Sequence, residues 1–565
     1  QLKYQIVRAK SIGIALLSKT RHSAYIYETP PYDEAAKKTK DTMPDHNFPQ
    51  NQSQSQDADA ASAQTQLDSL ESGADPLKFL LSRQKFVAML KKFKVSRVGK
   101  INMRLLVTAV LLTTASPHLS YGTVNGYDIV DIAGHYNSMA EQRNLPQVSA
   151  QAIEYQIKKD KFADLMQAIF EHVTERAASF GLELSKIKQV LTLISELTVR
   201  PIVDIVADDG CYFTGHDSLA KVFPASRTAH KEGSKGAAQI GLQARYSLKG
   251  LLFTSMEITG GNAYEPNYGE PEPNTIALKD AAYSSFVQFI RCEEKGAYQV
   301  SAGRKNLAAK VRRAYVDGKE VKDIQGKAPK EFLRYVPHQS VELIIEGTTK
   351  TEFTIVVDSK GVATKVPHNI TLRAIRIFDP RKGATWVLTN LPEAVPAESV
   401  LYLMRLRWGI ERAFLDLKSH NNLRGARTSS KALTRTLVWA SLITALLKGV
   451  TIRCAERLYG RELSLRGCHK LDQYNQETHS WSAIVITLTC SCALPFSSFT
   501  EVLQKLGTSK LTGKCKPSSK NQRRSLAHHI DSLIFELAAA TSKGKLLLPY
   551  KPCLNPDNQH IYAVF

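Results

Sequence analysis

Pro201-Ile-Val-Asp-Ile-Val-Ala-Asp-Asp-Gly210 is the stretch on which the fold turns. Residues 202–207 form a short apolar run rich in β-branched side chains, closed by Asp208-Asp209-Gly210, and this predicts a buried strand with Asp209 at its end. Downstream, Ile240, Leu242, Ala244, Tyr246 and Leu248 alternate with polar or small residues, which predicts a second strand over 239–248, with 251–259 as its partner. Thr275-Ile-Ala-Leu278 reads as a short buried strand ending at Asp280, and 284–294 has the pattern of a helix packed behind it. Together these elements predict an α/β domain with mixed strand directions.

Working outward, residues 1–75 hold a polar run from Asn51 to Asp57 and few large apolar residues, so they read as a disordered tail or linker. Asp75-Pro76 is a helix-start signature, and Phe79, Leu80, Phe86, Val87, Leu90 and Phe93 follow at helical spacing, opening a helical N-terminal region over 76–198. Within it Val148-Ser149 caps a helix at 150–157 that runs into Lys158, Lys159 and Lys161. This fits a helix-turn-helix reader of a DNA groove, or simply helices that pack together. Toward the C-terminus, candidate strands at 341–346, 353–358, 370–378 and 386–390 form a β-rich block, and helical periodicity returns over 397–418. The β block therefore interrupts the α/β domain. Residues 426–565 read as basic and mostly helical, with Lys516, Lys520, Arg523 and Arg524 in a polar loop.

The 565 residues include 75 Lys+Arg and 53 Asp+Glu, a net charge of +22. That excess suits a polyanionic partner such as DNA, or a basic but otherwise ordinary enzyme. Eight cysteines are too sparse for a disulfide framework, and Cys468-His469, Cys490, Cys492 and Cys515 match no standard zinc spacing, so buried thiols are expected. The most apolar stretches, 105–115 and 436–447, fall short of the ~20 residues of a membrane span, so no membrane is expected as a partner.

Three carboxylates stand out: Asp209 and Asp280 at strand ends and Glu411 inside a helix. Phosphodiester chemistry with two divalent ions needs oxygen ligands of this kind. Glu411 belongs to Met404-Arg-Leu-Arg407-Trp408-Gly-Ile-Glu411-Arg-Ala-Phe-Leu-Asp-Leu-Lys418, where Arg407, Glu411 and Lys418 share one helical face and Ile410, Phe414 and Leu417 another. On these residues alone, the alternative is a solvated face with an i,i+4 salt bridge. Asp208 is an adjacent rival to Asp209.

The spacing Arg407-x3-Glu411-x6-Lys418 resembles the YREK signature of the insertion sequence 4 family of bacterial DDE transposases. Asp209-Gly210-Cys211 with Phe213 and Val222-Phe-Pro-Ala is similar to that family's first-aspartate segment. Asp280-Ala-Ala-Tyr283 followed by Gly296-Ala-Tyr-Gln-Val-Ser301 is similar to the second, and Trp386-Val-Leu-Thr-Asn-Leu-Pro392 leads into the signature helix. Together these cover roughly residues 200–420.

The resemblance implies a ribonuclease-H-like catalytic domain in two parts, 199–302 and 393–425, interrupted by a β-rich insertion over 303–392. It implies two Mg2+ ions, with Mn2+ able to substitute, held by Asp209, Asp280 and Glu411. Arg407 and Lys418 would contact phosphates, and Tyr283, Trp386 and Trp408 would lie at the DNA, the tryptophans around a flipped base. Core packing is the alternative for each Trp. The implied partners are double-stranded DNA, as terminal inverted repeats and target, and a second copy of the chain when the ends are synapsed. The implied activity is cut-and-paste transposition in the bacterial cytoplasm, associated with the nucleoid. Two positions depart from the family pattern: Met404 replaces the motif Tyr, and Asp280-Ala-Ala-Tyr replaces Asp-Arg-Gly-Tyr. A structure-specific nuclease of the same fold and a co-opted DNA-binding protein are the rival functions.

Overall fold

Short polar side chains start the first helices. Ser82 Oγ accepts from the Lys85 amide to open α1 (Arg83–Lys92), and Asn102 Oδ1 accepts from the amides of Arg104 and Leu105 to open α2 (Met103–Ala115). The computed structural model describes residues 80–459 apart from 96–100, 116–128, 142, 180–184, 227–237, 264, 266–267, 304–307, 317, 323, 333, 335, 337–338, 358–362, 380–382 and 427. The described residues all belong to one compact unit. The expected tail over 1–75, the Asp75-Pro76 helix start, Cys468, His469, Cys490, Cys492, Cys515 and the basic loop at 516–524 lie outside the described residues.

α3 (Ile129–Glu141) follows, then α4 (Ala150–Ile157), capped by Ser149, α5 (Asp160–Ser179) and α6 (Ser185–Leu197). The sheet begins with β1 (Asp204–Thr214), β2 (Gln239–Ser247), β3 (Leu252–Gly260) and β4 (Thr275–Lys279). α7 (Phe286–Glu294) then leads to β5 (Tyr298–Ala302). From there the chain builds β6 (Ala309–Val316), β7 (Lys319–Glu320), α8 (Pro329–Phe332) and the long hairpin β8 (Val341–Val357) and β9 (Ala363–Asp379), then β10 (Gly383–Thr389). It returns to the first five strands through α9 (Ala397–Leu406) and α10 (Trp408–His420), and continues to α11 (Lys431–Tyr459).

The ten strands form one sheet in the order β3-β2-β1-β4-β5-β10-β9-β8-β6-β7. β1 is antiparallel to β2 and parallel to β4, β4 is parallel to β5, and β10 joins β5 antiparallel. The expected end of the first strand is corrected. β2 pairs with β1 without interruption from Val206↔Ser247 to Thr214↔Gln239, so Asp208, Asp209 and Gly210 stay inside the ladder and Asp209 lies mid-strand. The strands expected at 341–346 and 353–358 are likewise one strand, because β9 pairs along both parts across a register shift between Thr348 and Phe353.

α11 joins elements far apart in sequence. It packs on α2 and α5, where Thr444 and Thr114 share a hydroxyl hydrogen bond of 2.9 Å, Arg435 pairs with Asp164 at 2.9 Å, and the Trp439 and Phe170 rings lie 5.3 Å apart. By length and composition Lys431–Arg453 could cross a membrane, but 83% of that window is buried inside the protein, so it serves as a core helix. Only 436–447 stands out as apolar in the sequence. The flanking Arg435 and Lys448 are accommodated in the packed helix because their polar ends reach Asp164 and the Ala115 carbonyl.

Candidate active site around Asp209

The register of the parallel strands places the two aspartates side by side. Ala207 of β1 pairs with Leu278 of β4, and Asp209 and Asp280 each follow two residues later, at the point where β4 stops at Lys279. Asp280 then caps the turn Ala281–Tyr283, its Oδ1 accepting from the Ala282 amide at 2.7 Å. Adjacent strands lie about 4.8 Å apart, so the two residues are neighbours at the β4 end. Consistent with this closeness, the charge of Asp280 acts on Asp209.

Glu411 arrives from the other side of the chain. Ile410, Phe414 and Leu417 are buried and hold α10 against β1, with the Phe414 ring stacked on Phe253 at 5.6 Å. Arg407, at the start of the helix, then meets Asp209. Arg407 sits between the two carboxylates, donating from Nη2 to Glu411 Oε1 at 2.6 Å and from Nη1 to Asp209 Oδ2 at 3.3 Å. Lys418, further along the same helix, brings its charge to bear on the buried Cys211 thiol, two residues beyond Asp209 on the same strand.

Burial is the main perturbation at Asp209. It pushes the carboxyl up to about 7; Arg407 and the Gly210 amide oppose the rise, and Asp280 and Glu265 add to it. A partly buried carboxyl so placed attracts a cation. Its neighbour Asp208 points to the opposite face of the strand and is already spoken for. Arg245 holds it bidentately at 2.8 and 3.0 Å, and Lys279 approaches to 3.2 Å. Burial alone would raise the Asp208 carboxyl, but Lys279 and Arg245 outweigh it and hold it below its ordinary value.

Glu265 was not visible in the sequence as a site residue. Its Oε1 accepts from the Tyr212 hydroxyl at 2.8 Å, Gln243 Nε2 donates to that same hydroxyl at 3.1 Å, and burial and Asp280 raise its carboxyl above the usual range. The one signal for it is Gly210: a Cβ there would collide with Glu265 Oε1, so the glycine clears the approach of this carboxylate.

The remaining expected DNA contacts are placed differently. Tyr283 is 1% exposed, with Lys279 Nζ 5.2 Å from its ring centroid, and Trp386 is 6% exposed in the core with Phe289 and Leu388. Both face the interior. Trp408 is partly exposed beneath the Arg412 guanidinium, 5.5 Å from the ring. Met404, at the position of the family Tyr, is buried, while Tyr402 is half-buried under Arg405.

Carboxylate oxygens from three separated elements, one of them partly buried with its pKa raised, are the donor set that divalent cations such as Mg2+ take. As they stand, two of them share a guanidinium, and no group of three acidic, His or Cys side chains among the described residues is already gathered at ligand spacing. Residues 205–447 match the family model of the transposase DDE domain. The matched stretch starts in β1, ends in α11 and contains Asp209, Asp280, Arg407, Glu411 and Lys418. It supports a DDE transposase family, a transposase function and an enzyme that processes nucleic acid, and the mixed α/β architecture with its large sheet is consistent with such a DDE domain. No curated protein matches the chain.

Proposed function

We propose that this protein catalyses cut-and-paste DNA transposition, with Asp209, Asp280 and Glu411 as the ligands of two Mg2+ ions, for which Mn2+ would substitute. The observation that carries the reading is Arg407, which hydrogen-bonds Glu411 one turn away and Asp209, 198 residues earlier in the chain. The strand order β3-β2-β1-β4-β5 with its antiparallel and parallel pairings supports a ribonuclease-H-like core, and the run of strands β6–β10 between β5 and α9 supports reading 303–392 as a β-rich insertion.

The ions would lower the pKa of the attacking water and stabilise the attacking and leaving oxygens of the phosphodiester. The chain's own part is positional. β1 and β4 would present Asp209 and Asp280 at one level, and α10 would bring Glu411 to them through Arg407. A DNA phosphate competes for Arg407 and draws its guanidinium away from the carboxylates. Lys418 supplies a second cation to the same strand of DNA, and partly exposed Trp408 is the aromatic side chain best placed for an unstacked base. For Tyr283 and Trp386, burial supports the packing role. Water and then the freed 3′-hydroxyl act as nucleophiles, so no covalent protein–DNA bond forms, and a homodimer synapses the two ends.

The test is a cleavage and strand-transfer assay in Mg2+, using duplex DNA that carries the flanks of the coding region. Joined product from the parent and none from Glu411→Gln, with binding within a few-fold, is the expected result. Cleavage without joining would make the protein a nuclease, and binding without cleavage a DNA-binding protein.

A further inference from the structure

Arg373 lies on β9, paired with Ile344 of β8 and Thr389 of β10, and is 3% exposed. Its Nε donates to Glu342 Oε1 at 2.6 Å; Glu342 is its diagonal neighbour on β8 and is 1% exposed. Its Nη1 donates to two backbone carbonyls, of Pro392 and of Val395, each at 2.8 Å. Those carbonyls bracket the turn closed by the Val395 amide on Pro392, and the chain then passes through Pro396 into α9. α9 ends at Leu406, and the next residue is Arg407.

We propose that Arg373 is a positioning residue that hooks the entry of the signature helix to the β8–β9 hairpin and so sets Arg407 and Glu411 against Asp209; the inference rests on the reading of those carboxylates given above. A helix advances 1.5 Å per residue and turns as a rigid body, so where the first turn of α9 is held decides where its C-cap, Arg407, stands; Glu411 follows one turn into α10 and is held to Arg407 by hydrogen bond. A guanidinium suits the task because one planar fork reaches a carboxylate on one side and carbonyls on the other. As a stability device the pair is poor. Both partners are buried, and Arg373 Nη2 and Glu342 Oε2 have no partner among the described residues, so apolar side chains of the same volume would serve the core equally well.

Arg373→Lys and Glu342→Gln separate the hook from the ion pair. Lys keeps a charge for Glu342 but loses the fork onto the two carbonyls, whereas Gln weakens the ion pair and leaves the hook. In the Mg2+ cleavage assay on duplex DNA carrying the coding-region flanks, Arg373→Lys is expected to lower kcat about tenfold or more with KM unchanged, since small misplacements of reacting groups cost this much. Hydrogen exchange at the Ser399 and Val400 amides should quicken in the same variant. Glu342→Gln should lower the melting temperature and keep kcat within about threefold of the parent, a difference of only ~0.6 kcal/mol in barrier. Parental kcat in Arg373→Lys, or kcat losses in both variants that simply follow stability, would overturn the proposal. If the parent itself does not cleave, the reading of the carboxylates fails. The exchange measurement then still decides the hook, because unchanged exchange in Arg373→Lys means that Arg373 does not hold the helix entry.

Discussion

Arg407 and Asp209 are 198 residues apart in the chain, yet their side chains meet at 3.3 Å, and the same guanidinium holds Glu411 at 2.6 Å. The pair joins the strand that carries one proposed metal ligand to the helix that carries another. It also places a fixed positive charge where the proposed ions would add theirs, so guanidinium and cation compete for the same oxygens.

That competition predicts that Arg407→Ala binds Mn2+ more tightly than the parent, by about threefold or more, the factor that corresponds to a modest charge coupling of ~0.6 kcal/mol. The same variant should cleave DNA far less, having lost a phosphate contact. Electron paramagnetic resonance titration of Mn2+ measures the first effect. Weaker Mn2+ binding in the variant would mean that Arg407 supports the cation site instead of competing for it.

Asp209 makes the metal-free protein sensitive to pH in a defined direction. Its folded pKa, about 7, lies above the ordinary carboxylate value, so its contribution to stability is fully present below about pH 4 and is lost as pH rises through 7. The loss across this window is at most about 4 kcal/mol, at 1.36 kcal/mol per unit. Asp209→Asn should flatten this part of the stability–pH profile, and Mn2+ affinity in the parent should fall as pH drops below 7. Denaturant titrations from pH 5 to 8 read the first, and a profile equally steep in the Asn variant would contradict it.

Adjacent aspartates should respond in opposite ways to loss of charge. Asp208→Asn leaves Arg245 and Lys279 buried without their shared counter-ion, and is expected to cost about 3–5 kcal/mol of stability. Asp209→Asn removes a carboxylate that burial disfavours, and should cost little or even stabilise at pH 8 while abolishing cleavage. Urea denaturation of both variants is the check. Equal losses would remove the distinction between a structural and a functional aspartate.

Gly210→Ala should destabilise by about 1–3 kcal/mol, as overpacked interiors do, because its Cβ would meet Glu265 Oε1 and Gln243 Oε1. The double variant Gly210→Ala, Glu265→Ala should recover much of that loss. A purely additive cycle would show that Glu265 is not what the glycine makes room for.

The strands of the core domain and the signature helix were legible because local pattern specifies them. The alternation at Ile240–Leu248, the apolar run ending at Leu278 and the Ile410, Phe414, Leu417 stripe each follow from the geometry of a single element. Likewise Arg407, Glu411 and Lys418 stood out by spacing within one helix. Local pattern also misled at Asp208-Asp209-Gly210, where a turn-like tripeptide continues as strand because β2 supplies its ladder partners.

The amino-acid order by itself determined most of the core strands and helices, which of their faces are apolar, and the spacing of Arg407, Glu411 and Lys418. Only the tertiary structure decided that Asp208 is consumed by Arg245 and Lys279, that Glu265 reaches β1 over Gly210, that Trp386 and Tyr283 turn inward, and that Arg373 clasps the start of the signature helix. The physical reason is range. Periodicity arises from the repeat of one element and can be read along the chain, whereas a buried charge takes its role from whichever partner the sheet order and helix packing bring within about 3 Å, and that partner lies tens to hundreds of residues away.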